Sequence, residues 1–243
     1  IMPSLVGSEM CIRDSILAGG KGSRMRPFSF VIPKPLLPVG EHPILLHLIN
    51  RFKSFGIKDF MVSTGYQAEL VRAYFGDGSN IDVKIKYFHE NKPLGTAGPL
   101  SLMKEEISDD EYVFLINGDI YTEVDFAKML HFAENTRQDL VVGCIEKSEQ
   151  SSFGILKIND DKVSQIIEKP VSRFHVSAGI YVLRGRVINK IPRDKFFTMP
   201  DLINLYLAAG IAVPKYEIKE FWIGIENAEN LDEALKRVEE NAC

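Results

Sequence analysis

Ile16-Leu17-Ala18-Gly19-Gly20-Lys21-Gly22-Ser23-Arg24-Met25-Arg26-Pro27 is the stretch whose reading decides the fold. A short apolar run enters a segment with three glycines in four residues, and basic side chains follow. The pattern predicts a strand that feeds a loop whose backbone can approach a ligand closely, with N–H groups turned inward. Lys21, Arg24 and Arg26 add positive charge, so the chemistry implied is a cradle for a polyphosphate. A merely tight turn is the plainer alternative. Two common phosphate loops fail on spacing. In a P-loop the Lys follows the last glycine, whereas Lys21 precedes Gly22. The dinucleotide fingerprint needs a glycine where Met25 stands, which argues against a nicotinamide-dependent oxidoreductase.

Outward from this loop, strand and helix patterns alternate. Residues 44–55 place apolar side chains at 44, 45, 48, 49, 52 and 55, a helical spacing, with Gly56 where a C-terminal cap glycine belongs. Residues 58–63 read as a strand, 67–75 as a short helix, and 81–87 as a strand with one wet face. EYVFLI at 111–116 suits a strand buried on both faces. Residues 123–135 suit a helix and 139–145 a further buried strand. FGILKI at 153–158, a polar turn and VSQIIEK at 163–169 read as a hairpin, followed by a strand at 176–183 and helices at 200–209 and 228–239. The expected fold class is α/β: a Rossmann-like, mostly parallel sheet flanked by helices, with a small antiparallel insertion over roughly residues 150–185.

Composition bounds the function. The 243 residues are 45% apolar and 26% charged, ordinary for a globular chain with a real core. A net charge of −4 supplies no global basic field, so neither nucleic acid nor a membrane is an expected partner. Cys11, Cys144 and Cys243 form no CxxC, and the five histidines make no metal-binding spacing, which favours a reducing cytoplasm. Residues 1–15 carry neither a strand's alternation nor a helix's stripe, and they make no convincing signal peptide. They read either as a segment foreign to the fold, displacing most of a first strand, or as an ordinary terminus. Residues 16–243 read as a single domain.

Further along, Ile32-Pro33-Lys34-Pro35 brackets one lysine with prolines, which predicts an extended backbone that aims a single ammonium. LAGGKGSRMRP followed by PKP resembles the signature of the sugar-1-phosphate nucleotidylyltransferases. PLGTAGPL at 93–100, NGD at 117–119, FGILKI at 153–158, EKP at 168–170, SAGIYVL at 177–183 and FW at 221–222 then fall in that family's order. The resemblance covers about residues 16–240. It implies that a sugar-phosphate oxygen attacks the α-phosphorus of a nucleoside triphosphate and that pyrophosphate leaves. Such transfer needs positioning and charge neutralisation more than a covalent nucleophile.

By resemblance, Leu17, Ala18, Gly19, Gly20, Gly22 and Ser23 hold the nucleotide, Arg24 grips the departing pyrophosphate, and Lys34 meets the α-phosphate. Lys169 clamps the sugar phosphate, with Gly154, Glu168, Ser177 and Ala178 around the sugar. The loop with Glu90, Gly95 and Thr96 meets the base. Its LGTAGPL form resembles the guanylyltransferases of mannose 1-phosphate and hexosamine 1-phosphates, and Glu90 has the acceptors to match guanine N1–H and N2–H. Asp119, expected at a strand end, is the first magnesium ligand. The second departs from the family: the usual Trp-x-Asp-Ile-Gly is here Trp222-Ile223-Gly224-Ile225, with Gly224 in the Asp position. Glu226, two residues on, is the candidate replacement, and capping of the last helix by Glu226 or Asn227 is the competing reading. The substrates implied are an NTP and a sugar 1-phosphate, and a homo-oligomer stays open. The chain ends at Cys243 after a charged helix, so the left-handed β-helix with acetyltransferase activity found in some relatives is not expected.

Overall fold

The computed structural model describes residues 12–20, 22 and 25–242. In chain order, β1 (Ile12–Ala18) leads to the short pair β2 (Pro38–Val39) and β3 (His42–Pro43). Then come α1 (Ile44–Lys53), β4 (Asp59–Thr64), α2 (Ala68–Phe75), β5 (Lys84–His89), α3 (Leu100–Met103), β6 (Tyr112–Asn117), β7 (Ile120–Thr122) and α4 (Phe126–Thr136). β8 (Leu140–Gln150), β9 (Ile155–Asn159), β10 (Lys162–Ile167) and β11 (Val171–Arg184) follow. α5 (Met199–Ala208), β12 (Lys215–Glu217), β13 (Trp222–Gly224) and α6 (Ala228–Ala242) complete the chain.

Seven strands form one sheet in the order β12-β8-β11-β6-β1-β4-β5. β5, β4, β1 and β6 are mutually parallel, β12 is parallel to β8, and β11 runs against its neighbours β6 and β8. β6 lies near the middle because both its faces are apolar. Tyr112, Phe114 and Ile116 enter the core under α1 and α4, while Val113 and Leu115 enter the core shared with α3 and α5. Phe52 of α1 stacks on Phe126 of α4, with ring centroids 3.7 Å apart, and closes the first of these cores. Local chemistry sets the helix ends. Asp125 accepts a hydrogen bond from Lys128 N–H at the start of α4, and Thr198 and Asp201 form a capping box on α5.

The expected α/β class and antiparallel insertion are present: β9 and β10 make a two-stranded antiparallel sheet of their own. β8 and β11 are longer than their apolar segments foretold. Backbone pairing continues from Ile145–Val176 out to Gln150–Val171 after the side chains have become exposed. β5 begins at Lys84 rather than 81, because Gly78, at φ +89°, starts a 3-10 turn over Ser79–Ile81.

β1 begins at Ile12, before the apolar pattern does. Of the segment 1–15, residues 1–11 lie outside the described residues. Ile12–Ser15 pair along β6, and Asp14 and Ser15 pair also with β4. Backbone pairing on both sides draws this polar stretch into the sheet. The consequence is Asp14, fully buried on the same strand face as Ile16, with neither carboxylate oxygen hydrogen-bonded. Burial pushes its carboxyl well above the usual range. Among the described residues, no helix is long and apolar enough to cross a membrane.

Candidate active site

After β1 the chain builds β4 and β5 on one side of it, then returns to lay β6 on the other side. Strand order reverses at β1, so the loops leaving β1 and β6 diverge and open a crevice at their C-terminal ends. There Gly118 N–H donates to Leu17 O at 2.9 Å, tying the two exits together. The hollow has a volume of about 430 Å³, and Leu17, Ala18, Gly19, Gly20, Gly22, Lys34, Glu90, Gly95, Thr96 and Asp119 all line it. Segments far apart in the chain thus converge on one hollow. Ser23 and Arg24 lie outside the described residues.

Lys34 does not sit in extended backbone. Leu36 N–H bonds Pro33 O and Leu37 N–H bonds Lys34 O, so Lys34–Leu36 is a 3-10 turn between extended Pro33 and Leu37. The turn buries the lysine to 8% exposure and carries its ammonium to Asp119, with Nζ to Oδ2 at 2.5 Å. Gly22, at φ +58°, packs on the lysine stem: a Cβ there would lie 3.2 Å from Lys34 Cβ. Lys34 is therefore a buried, ion-paired lysine rather than a solvated one.

Glu90 leaves β5 with both carboxylate oxygens engaged. Ser63 Oγ donates to Oε1 at 2.5 Å and Leu94 N–H donates to Oε2 at 3.0 Å. Gly19 lies directly against that carboxylate, and any side chain there would overlap Oε1. The loop after Glu90 is stapled to the segment before α5. Ala97 and Gly98 N–H both reach Phe197 O, and Thr96 Oγ1 accepts from Met199 N–H at 2.8 Å. Thr96 therefore reaches the hollow while its hydroxyl serves the scaffold. Phe196, brought in by this staple, and Asn117 also line the hollow. Asn117 stood in the NGD motif, whereas no local pattern marked Ser63.

The sugar-phosphate residues are not part of this lining. Lys169 is exposed at φ +43° in the turn from β10 to β11. Gly154 and Glu168 lie against each other across the base of the hairpin. Ser177 hydrogen-bonds Tyr181 through their hydroxyls at 2.8 Å, and buried Ala178 accepts from Trp222 Nε1 at 2.9 Å. Gly179, at φ +66°, packs on Asn117, which lines the hollow. Lys34 and Asp119 thus share one hollow, and Lys169 stands apart on the hairpin.

Magnesium accepts one or two carboxylates together with phosphate oxygens and water. Asp119 supplies one such carboxylate, and Lys34 Nζ lies against its Oδ2. Among the described residues no cluster of three or more His, Cys, Asp or Glu could hold a metal by itself. β13 ends at Gly224, so strand alternation does not carry on to Glu226. Ile225 N–H reaches Asp119 O at 2.8 Å, which places this segment beside the aspartate backbone. Glu226 is exposed, and Asn227 provides the cap of α6 by accepting from Asn230 N–H at 2.9 Å.

A glycine-rich loop, a buried lysine and a strand-end carboxylate at the switch point of a mostly parallel sheet define an α/β protein built to hold phosphate esters. Residues 14–241 match the nucleotidyl transferase family, and the chain belongs to it. Among its relatives, the mannose-1-phosphate guanylyltransferase of Mycobacterium tuberculosis is 33% identical over 185 residues, which are 74% of this chain and 51% of that protein. Mannose-1-phosphate guanylyltransferase 1 of Arabidopsis thaliana is 32% identical over 183 residues, 72% of this chain and 51% of that protein. The chain spans about half the length of these curated relatives. The crystal structure of HddC from Yersinia pseudotuberculosis superimposes with a TM-score of 0.72 at 26% identity, covering 93% of this chain and 99% of that one. HddC has also been solved in complex with GMP-PN.

Proposed function

We propose that this chain is a sugar-1-phosphate guanylyltransferase, joining GTP and a sugar 1-phosphate into a GDP-sugar with release of pyrophosphate. A phosphate oxygen of the sugar phosphate forms the new bond to the α-phosphorus. The bond from that phosphorus to the α–β bridging oxygen breaks, and its electron pair leaves with pyrophosphate. The observation that carries this reading is the Lys34–Asp119 pair at 2.5 Å, in the same hollow as the glycine-rich loop and Glu90.

In this reading the amides of Gly19, Gly20 and Gly22 hold the triphosphate, with Ser23 and Arg24 completing the loop. Lys34, pre-aimed and desolvated, neutralises charge that builds at the α-phosphate. Magnesium held by Asp119 and the phosphate oxygens would supply further charge neutralisation. Lys169, Glu168, Gly154, Ser177 and Ala178 receive the sugar phosphate, which requires the β9–β10 hairpin to approach the hollow when that substrate binds. The choice of guanine rests on Glu90 and on the activity named for the relatives. Mannose and hexosamine 1-phosphates are the candidate sugars. A second reading, a nucleotide-binding homologue with weak turnover, draws on Gly224 in the position of the family's second metal carboxylate.

Pyrophosphate release, measured with each nucleoside triphosphate against mannose-, glucose- and hexosamine-1-phosphates in magnesium buffer, separates the two. Release with GTP supports the transferase. Nucleotide binding without release supports the second reading. Glu90→Gln is expected to relax base choice, and an unchanged GTP preference would overturn the role of Glu90.

A further inference from the structure

We propose that Ser63 is the positioning residue that sets base choice, by locking the Glu90 carboxylate so that only a guanine edge satisfies it. This rests on the guanylyltransferase reading above. Ser63 is fully buried on β4, and its hydroxyl donates to Glu90 Oε1 at 2.5 Å, 27 residues along the chain. The second oxygen is held by Leu94 N–H at 3.0 Å, and the Glu90 main chain by its N–H bond to Thr64 O at 2.8 Å. Gly19 borders the carboxylate on one side, where even a single Cβ would overlap Oε1.

An ionised carboxylate offers about four acceptor sites, two on each oxygen. The protein occupies one on each. One acceptor site therefore remains on each oxygen, on a side chain that lines the hollow. Two adjacent acceptors fit two adjacent donors, and guanine supplies them as N1–H and N2–H. Hypoxanthine keeps only N1–H. Adenine sets its N1 lone pair against the carboxylate, and leaving a charged acceptor facing another acceptor is costly. The discrimination depends on the carboxylate being unable to rotate. Ser63 supplies that restraint from inside the protein without reaching the base.

The test is calorimetric binding of GTP, ITP and ATP to the intact chain in magnesium buffer, alongside steady-state pyrophosphate release. The wild-type protein is expected to bind GTP about tenfold or more tightly than ITP, and ATP more weakly still. Ser63→Ala is expected to weaken GTP about tenfold while moving ITP and ATP far less, so that the GTP-to-ITP ratio collapses. KM for GTP should rise with kcat at saturation within about twofold. Ser63→Thr, which keeps the hydroxyl, should restore the ratio. Ser63→Cys, a near-isosteric weak donor, stands in should the alanine variant fail to fold, and it should lose the ratio too. Equal losses for all three nucleotides, or an unchanged ratio, overturn the role of Ser63 alone. A wild-type protein with no preference for GTP over ATP overturns this role and the guanine reading together.

Discussion

The Lys34 ammonium lies 2.5 Å from Asp119 Oδ2, across 85 residues of chain. The lysine side chain is 9% exposed and the aspartate 36%, so the cation is buried and the carboxylate faces the hollow. Such a pair is asymmetric under mutation. Lys34→Ala leaves a half-buried carboxylate without its cation and removes the charge proposed to meet the α-phosphate. It is expected to lower kcat for pyrophosphate release by about 10²–10³. Lys34→Arg should rescue only part of this, because the wider guanidinium must fit under Gly22. A kcat within threefold of wild type for Lys34→Ala would remove the lysine from the mechanism.

Asp14 gives the opposite lesson. Its burial without a partner raises the carboxyl pKa in the folded state. Stability is then fully present below roughly pH 4, where the unfolded chain is also protonated, and is lost as pH rises through the folded value. Asp14→Val, close in volume, should raise stability at pH 7.5 by about 2–4 kcal/mol and flatten this slope. Urea unfolding at pH 5 and pH 7.5 checks it, and a destabilised variant would contradict the argument.

Glu123 titrates with the other sign. Arg237 of α6 grips it through two bonds of 2.6 and 2.7 Å, and Asn241 adds a third. The Arg237 guanidinium holds the Glu123 carboxyl below its usual range. This stabilisation is present above the ordinary glutamate range and is lost as pH falls through the lower folded value. Arg237→Met should lower the melting temperature at pH 7 and shrink the loss between pH 5 and pH 3. Thermal unfolding followed by circular dichroism reads both, and an identical acid limb in the variant would remove the pair from the account.

Gly95 holds the base-side loop in a shape other residues resist. Its φ is +82°, and a Cβ there would lie 2.6 Å from Phe197 O. Gly95→Ala should cost about 2 kcal/mol through left-handed strain and loss of the staple to α5. It should weaken nucleotide binding as well. Guanidinium unfolding and GTP calorimetry measure the two effects, and a variant matching wild type in both would show the loop to be adaptable.

Much of the fold was legible in local patterns. EYVFLI announced a strand buried on both faces, and the apolar spacing of 44–55 announced α1, because side-chain period reports local geometry directly. The order of short motifs marked most of the hollow's lining. What escaped was set by partners distant in the chain. The use of Thr96 Oγ1 by Met199, the place of Phe196, and the hydrogen bond from Ser63 to Glu90 leave no trace in spacing. The polar Ile12–Ser15 stretch entered a strand against its own pattern, since ladder hydrogen bonds belong to the backbone and neighbours on both sides supplied them.

The amino-acid order by itself marked most of the longer strands and helices, and the residues proposed to carry phosphate-binding chemistry. Only the tertiary structure decided which of those residues share a hollow. The parallel register of β1 with β4 and β6 brings Gly19, Lys34, Glu90 and Asp119 together and leaves Lys169 out on its hairpin. The physical reason is range. A dihedral preference acts over a few residues, whereas convergence depends on strands pairing and packing across the whole sheet.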